Sequence, residues 1–187
     1  MLEIRSLGLD GVYEVTPRRH GDQRGFFSET WRHSSLSELG IDTDFVQDNH
    51  SYSAQVGTLR GLHFQTPPAA QHKLVRVTRG AIFDVAVDIR QGSPQFGKWV
   101  GLEISAEKWN QILIPVGFAH GFVTLQPDTE VIYKVTNYYS PAHDRVIRYD
   151  DPTFAIKWPQ LPLPFELSEK DRAAPFSADI DTEFTYQ

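Results

Sequence analysis

Short apolar runs broken by turn residues repeat along most of the chain. Residues 12–16, 26–31, 45–53, 58–65, 74–78, 81–89, 99–104, 111–114, 122–125, 131–136 and 146–149 read as strands. Gly57, Thr66-Pro67-Pro68, Gly80, Gly92-Ser93-Pro94, Pro127-Asp128 and Ser140-Pro141 supply the turns between them. Many short strands at fairly even spacing predict an all-β sandwich or barrel. Helix is scarce. Residues 34–39 carry a capping box, Ser35-x-x-Glu38, and residues 168–172 carry another, Ser168-x-x-Asp171, just after the proline-rich stretch 159–164. With no internal repeat and no low-complexity tract, residues 1–187 form one expected domain, and residues 175–187 read as a tail or a strap over a partner.

Within strands, alternation shows which polar side chains point inward, because residues of equal parity share a face. Lys73 shares parity with Val75 and Val77, and Tyr133 with Val131 and Val135, while Glu130 and Lys134 occupy the opposite face. An inward lysine needs a partner or a ligand, since burying an unpaired ammonium costs several kcal/mol. The plain alternatives are a core tyrosine at position 133 and a lysine snorkelling to the rim at position 73. Gln47, Asn49, Ser51 and Ser53 also share one face, a polar stripe that is expensive unless it meets a water-filled or ligand-filled cavity. Arg60 and His63 would point to opposite sides of a regular strand. A joint role for them requires a bulge, which Gly61 permits.

Charge and composition narrow the chemistry. The 187 residues hold 24 acids and 18 bases, a formal charge of −6, seven histidines and no cysteine. There is accordingly no disulfide framework, no cysteine-ligated metal and no cysteine nucleophile, which fits a reducing compartment. The charged start Met1-Leu2-Glu3-Ile4-Arg5 lacks the apolar stretch of a secretory signal, and no apolar run reaches the ~18 residues of a membrane span, so the expected location is the cytoplasm. Net negative charge argues against a nucleic-acid partner. Yet the 35 positions between Asp48 and Asp84 hold no acid, where the chain's composition would supply about four or five, and they carry Arg60, Lys73, Arg76 and Arg79. If this segment folds around a cleft, the cleft is electropositive and suits a small anionic ligand. A solvated basic face is the alternative.

Pro115-x-Gly117-x-x-His120 resembles the second conserved motif of cupins, which are double-sheet jelly rolls. Metal-binding cupins have a His-x-His pair in the first motif, where this chain reads His63-Phe64-Gln65 with no glutamate before Lys73. Isolated histidines do not make a divalent site, so no catalytic metal is expected.

Eight blocks in order, spanning about residues 10–174, resemble the dTDP-4-dehydrorhamnose 3,5-epimerases. They are Gly21-Asp22-x-Arg24-Gly25-Phe26-Phe27-x-Glu29, Phe45-Val46-Gln47-Asp48-Asn49-His50-Ser51, Leu59-Arg60-Gly61-Leu62-His63-Phe64-Gln65, Lys73-Leu74-Val75-Arg76, Phe83-Asp84-Val85-Ala86-Val87-Asp88, Ile114-Pro115-x-Gly117-Phe118-Ala119-His120-Gly121-Phe122, Tyr133-Lys134-x-Thr136-Asn137-Tyr138-Tyr139 and Leu167-Ser168-Glu169-Lys170-Asp171-Arg172. The resemblance implies a cupin jelly roll, a homodimer, and a dTDP-4-keto-6-deoxyhexose substrate epimerised at carbons 3 and 5. It further implies His63 as base, Asp171 as the group that orients it, Lys73 as stabiliser of the oxyanion and Tyr133 as acid across the ring. The aspartate's plainer role is the capping box.

Other matches concern binding. Arg24, Arg60 and Lys170 resemble diphosphate contacts, Glu29, Gln47 and Asn49 thymine and deoxyribose contacts, and Phe27 a stacking face. His120 sits at the sugar in this resemblance, Tyr139 belongs to the same binding set, and Asp144 stands where relatives often carry glutamate. Arg24 and Glu29 are expected to reach the site of a neighbouring subunit. No cofactor is implied, because the substrate's own carbonyl supplies the acidity. Competing readings are an epimerase of a single carbon, a non-catalytic cupin that binds a nucleotide sugar, and a keto-isomerase.

Overall fold

The computed structural model describes residues 2–38 and 44–186. Fourteen strands are found among them. They are β1 (Leu2–Ser6), β2 (Tyr13–Pro17), β3 (Arg19–Asp22), β4 (Gly25–Ser28), β5 (Gln47–Ser53), β6 (Thr58–Gln65), β7 (Lys73–Arg79), β8 (Ala81–Asp88), β9 (Trp99–Ser105), β10 (Gln111–Ile114), β11 (Phe118–Thr124), β12 (Thr129–Val135), β13 (Asp144–Val146) and β14 (Glu166–Leu167). Two short helices, α1 (His33–Ser37) and α2 (Glu169–Arg172), and a 3-10 turn at Ser177–Asp179 complete the regular structure.

The strands form two six-membered layers. One has the order β1-β2-β10-β7-β12-β5 and the other β13-β6-β11-β8-β9, with β14 parallel to β6. From β5 to β8, and again from β9 to β13, successive strands alternate between the layers, the crossing pattern of a double-sheet jelly roll. Val75, Val77, Ile112 and Val131 from the first sheet meet Ile82, Ala86, Ile104, Phe118 and Phe122 from the second in the central core. Leu62, Phe64, Val85, Val87 and Ala119 point to the other side of the second sheet, where Ile147, Phe154 and Phe184 cover them. With both faces covered, β8 and β11 are buried almost end to end, which explains their unbroken apolar runs. By contrast β5 alternates between half-buried and exposed side chains, as its sequence predicts.

The differences from the expected elements have local causes. β1 was not expected, because its charged residues Glu3 and Arg5 interrupt a strand whose hydrogen bonds come from its neighbour β2. The strand expected over 26–31 ends at Ser28 and pairs only with β3, forming a separate hairpin. The strand expected at 146–149 is displaced to 144–146 and shares only Val146 with β13, although Ile147 and Leu62 still exchange both backbone hydrogen bonds. The box Ser35-x-x-Glu38 does not cap. The helix begins one turn earlier with Arg32 at the cap position and no side-chain cap bond, and Leu39, the last residue of the expected helix, lies outside the described residues. At the C-terminal end, Thr185 bridges Gln91, Thr182 Oγ1 donates to the Ile89 carbonyl, and Phe184 packs on Phe64. Phe64 belongs to the chain's own second sheet, and Ile89 and Gln91 directly follow its strand β8.

Candidate active site

β6 pairs with β11 through an irregular register. His63 lies opposite His120 and Arg60 opposite Phe122, so β6 spends one residue more than its partner between the two points. Gly61 sits in this bulge with φ +134°, where a Cβ would stand 2.5 Å from the Gly121 Cα and 2.9 Å from the His120 carbonyl oxygen. Only glycine fits there without displacing backbone. The extra residue turns Arg60 and His63 to the same cavity, the joint placement that alternation alone forbids.

That cavity, of about 550 Å3, opens between the sheets and is lined by Arg60, His63, Lys73, His120, Tyr133 and Asp171, together with Ser51, Ser53, Ser168 and Glu166. A second cavity of about 150 Å3 shares His63, Lys73 and Tyr133 and adds Gln47, Asn49, Gln65, Gln71, Tyr139 and Asp144. The polar stripe of β5 therefore divides along its length. Gln47 and Asn49 face the smaller cavity, and Ser51 and Ser53 the larger.

His63 Nε2 lies 2.5 Å from Asp171 Oδ1. The other carboxylate oxygen accepts from Ser168 Oγ at 2.7 Å, while the Asp171 amide donates to that same hydroxyl as the helix cap. Capping and orienting are thus one arrangement. Burial opposes ionisation of Asp171, but hydrogen bonds from His63 and Ser168 outweigh it and hold the carboxyl below the usual range. An ionised Asp171 fixes the proton of neutral His63 on Nε2, leaving Nδ1 as the basic nitrogen.

Lys73 begins β7 and is buried, with Nζ donating to the His63 carbonyl at 3.3 Å. Snorkelling is therefore excluded. Burial lowers its pKa to about 8, against the attraction of Asp84 and then Asp144. Tyr133 on β12 lies opposite Val75 of β7 and Asn49 of β5, and burial pushes its phenol above the ordinary value. Because β12 and β6 belong to different sheets, the phenol and the imidazole of His63 enter the cavity from opposite layers.

Arg60 donates to the Tyr52 carbonyl and to Ser53 Oγ at the larger cavity's wall. At the smaller cavity Asp144 accepts from Tyr139 Oη at 3.0 Å and from Lys170 Nζ at 2.5 Å. Lys170 precedes Asp171 on α2, so this ion pair ties the helix carrying the orienting carboxylate to β13. Arg24, Phe27 and Glu29 line neither cavity. Arg24 pairs with Asp22 and Glu29 with Arg32, and Phe27 is 71% exposed near the tip of the β3–β4 hairpin.

The acid-free segment does not produce an acid-free cleft. Asp84, Asp144, Glu166 and Asp171 come to the site from elsewhere in the chain and offset its cations. Sequence reasoning assigned no role to Asp84 or Glu166, and of these Asp84 left a signal in the sequence. Its signal was a lone acid in the apolar strand Ala81-Ile82-Phe83-Asp84-Val85-Ala86-Val87, at the parity of Ile82 and Ala86, which face the central core. Among the described residues, no three His, Asp or Glu side chains are grouped to hold a metal ion.

Comparison with known proteins identifies the family. A family model described as dTDP-4-dehydrorhamnose 3,5-epimerase matches residues 6–179. The dTDP-4-dehydrorhamnose 3,5-epimerase of Sinorhizobium fredii is 51% identical over 98% of this chain and 93% of its own, and that of Salmonella typhimurium is 51% identical over 94% and 95%. A crystal structure of the dTDP-6-deoxy-D-glucose-3,5-epimerase of Legionella pneumophila in complex with dTDP-4-keto-L-rhamnose superposes with a TM-score of 0.95, at 46% identity over the whole of both chains. A family model matched over residues 6–179, with relatives 51% identical over nearly the whole length of both chains, shows that this chain belongs to the dTDP-4-dehydrorhamnose 3,5-epimerase family.

Proposed function

We propose that the protein converts dTDP-4-dehydro-6-deoxy-D-glucose to dTDP-4-dehydro-L-rhamnose by inverting carbons 3 and 5. The supporting observation is that His63 with its Asp171 and, from the opposite sheet, Tyr133 line one cavity that also holds the Lys73 ammonium. Hydrogens on carbons 3 and 5 are acidic because both flank the 4-keto group. His63 Nδ1 takes one of them. The C–H electron pair moves onto the carbonyl oxygen, where the Lys73 charge stabilises it in a water-poor setting. Tyr133 then donates its proton to the other face of the carbon, the carbonyl re-forms, and the configuration is inverted. Exchange with solvent returns His63 to its neutral state and Tyr133 to its phenol. A second round acts on the other carbon. No electrons leave the substrate, so no redox partner is needed.

Arg60 is suited to the diphosphate by its fork of donors, and Gln47, Asn49, Tyr139, Asp144 and Lys170 form a polar mouth for the nucleoside. His120 contacts the sugar from the β11 side. Arg24, Phe27 and Glu29 act in a neighbouring copy, which makes the protein a homodimer. The support is that this hairpin projects Phe26 and Phe27 into solvent, at 54% and 71% exposure, and that none of its residues lines either cavity of its own chain. The cytoplasm, where nucleotide sugars are activated, is the proposed setting. No helix among the described residues is long and apolar enough to cross a membrane.

The test is incubation with the 4-keto substrate in deuterated water. Deuterium at both carbons, with an L-sugar that a downstream ketoreductase accepts, is the expected result. Label confined to carbon 3 would establish a single-carbon epimerase instead, and no label at all would leave only a binding protein.

A further inference from the structure

A second histidine–aspartate pair lies beside the first. His120 is the cross-strand partner of His63, and its Nε2 stands 2.8 Å from Asp84 Oδ2. Both side chains are buried, Asp84 completely. The second oxygen of this carboxylate, Oδ1, is buried with no hydrogen-bond partner among the described residues. A carboxylate stripped of water and satisfied on one side only is costly, and an apolar residue would pack the strand better.

What surrounds Asp84 explains its presence. Lys73, the cavity's buried ammonium, draws on Asp84 first and Asp144 second for the attraction that opposes loss of its charge. The cavities around this cation are lined by Arg60 and His63 on β6, His120 on β11, Tyr133 on β12, Asp144 on β13 and Asp171 on α2, and Asp84 on β8 stands behind His120. Of these carboxylates, Asp144 is already engaged by Lys170 and Tyr139. Asp171 is engaged by His63 and Ser168. Asp84 is the buried anion with an oxygen to spare. Its other oxygen governs His120. A carboxylate accepting from Nε2–H leaves Nδ1 as a lone pair, so His120 can accept a hydrogen bond in the cavity but cannot donate one.

We propose that Asp84 is a positioning residue with two effects on the site: it keeps Lys73 as an ammonium, and it fixes His120 as an acceptor for a sugar hydroxyl, leaving the developing oxyanion to Lys73. This rests on the proposed epimerase reading and deepens it. Burial raises the pKa of Asp84 and lowers that of His120, and the attraction between the two works against both shifts.

Two measurements test the proposal. In the unaltered protein, nitrogen-15 NMR of the histidine rings at neutral pH should show His120 as the Nε2–H tautomer. An Nδ1–H ring would mean that Asp84 is the protonated partner and would overturn the assignment. In Asp84→Asn the acceptor stays and the charge goes. The expected result is a kcat at least ~10-fold lower with KM within about threefold, unchanged dTDP affinity, and a high-pH limb displaced to lower pH as Lys73 loses its counter-charge. A merely structural role would lower melting temperature and rate with the limb unmoved, and that outcome rejects the proposal. If Asp84→Asn does not fold, the tautomer decides the matter alone. Failure of the epimerase reading itself is distinguishable, because the unaltered protein would then exchange no substrate proton while its His120 tautomer would still report on Asp84.

Discussion

Lys73 carries the sharpest pH dependence. With a pKa lowered to about 8 by burial, its ammonium predominates at neutral pH and is lost as pH rises through that value. Turnover should therefore decline above about pH 8, roughly tenfold per unit once the lysine is neutral, and a kcat profile reads this directly. Tyr133 is raised rather than lowered by burial, so its ionisation falls at higher pH and does not set that limb. Lys73→Met should cost ~10²–10³-fold in kcat, as removal of an oxyanion donor does. Asp171→Asn keeps the helix-cap geometry but lets the amide present either donor or acceptor to His63. A loss of ~10²-fold or more with little change in KM is expected, and an unchanged kcat would refute the orienting role. The inward lysine and tyrosine were legible from alternation alone. Whether Asp171 caps a helix or orients a base was not, because the choice depends on a histidine 108 residues earlier that only the folded chain brings to it.

Among elements, the bulge in β6 decides whether a site exists at all. Sequence alternation sets Arg60 and His63 on opposite faces and marks Gly61 as the place where that can fail. The observed register shift is that failure. Gly61→Ala would drive a methyl into the backbone of β11, so a loss of about 2 kcal/mol or more is expected, roughly 4–8 °C in melting temperature, together with impaired turnover. Thermal unfolding checks it, and a melting temperature within about 1 °C of the parent would contradict the packing argument. Strands with apolar runs were readable because both their faces are covered. β1, β3 and β14 were not, since their pairing comes from neighbours rather than from their own residues. The helix at His33–Ser37 shows the reverse limit, a capping pattern present in sequence and unused in the fold.

For the molecule as a whole, net charge proved a poor guide to its ligand. A chain of −6 gathers Arg60, Lys73 and Lys170 at one end of its barrel, but it also gathers four carboxylates there, and the pairing among them rather than a bare excess of cations shapes the site. The hairpin bearing Arg24 makes the proposed dimer testable through mixed subunits. Arg24→Ala and His63→Asn proteins, each poorly active alone, should regain activity when unfolded and refolded together, because one site of each heterodimer then receives an intact His63 and its neighbour's Arg24. No recovery would place Arg24 in its own chain's site or in none.

The central claim is that base and acid approach the sugar from opposite sheets, and separating their two steps tests it most directly. In deuterated water, His63→Asn should neither exchange nor invert either carbon, at least ~100-fold below the parent. Tyr133→Phe retains the base and should still exchange the hydrogen that His63 removes, while inversion falls by a similar factor because no proton is offered on the far face. Inversion at the parental rate in Tyr133→Phe, or continued exchange in His63→Asn, would contradict the account.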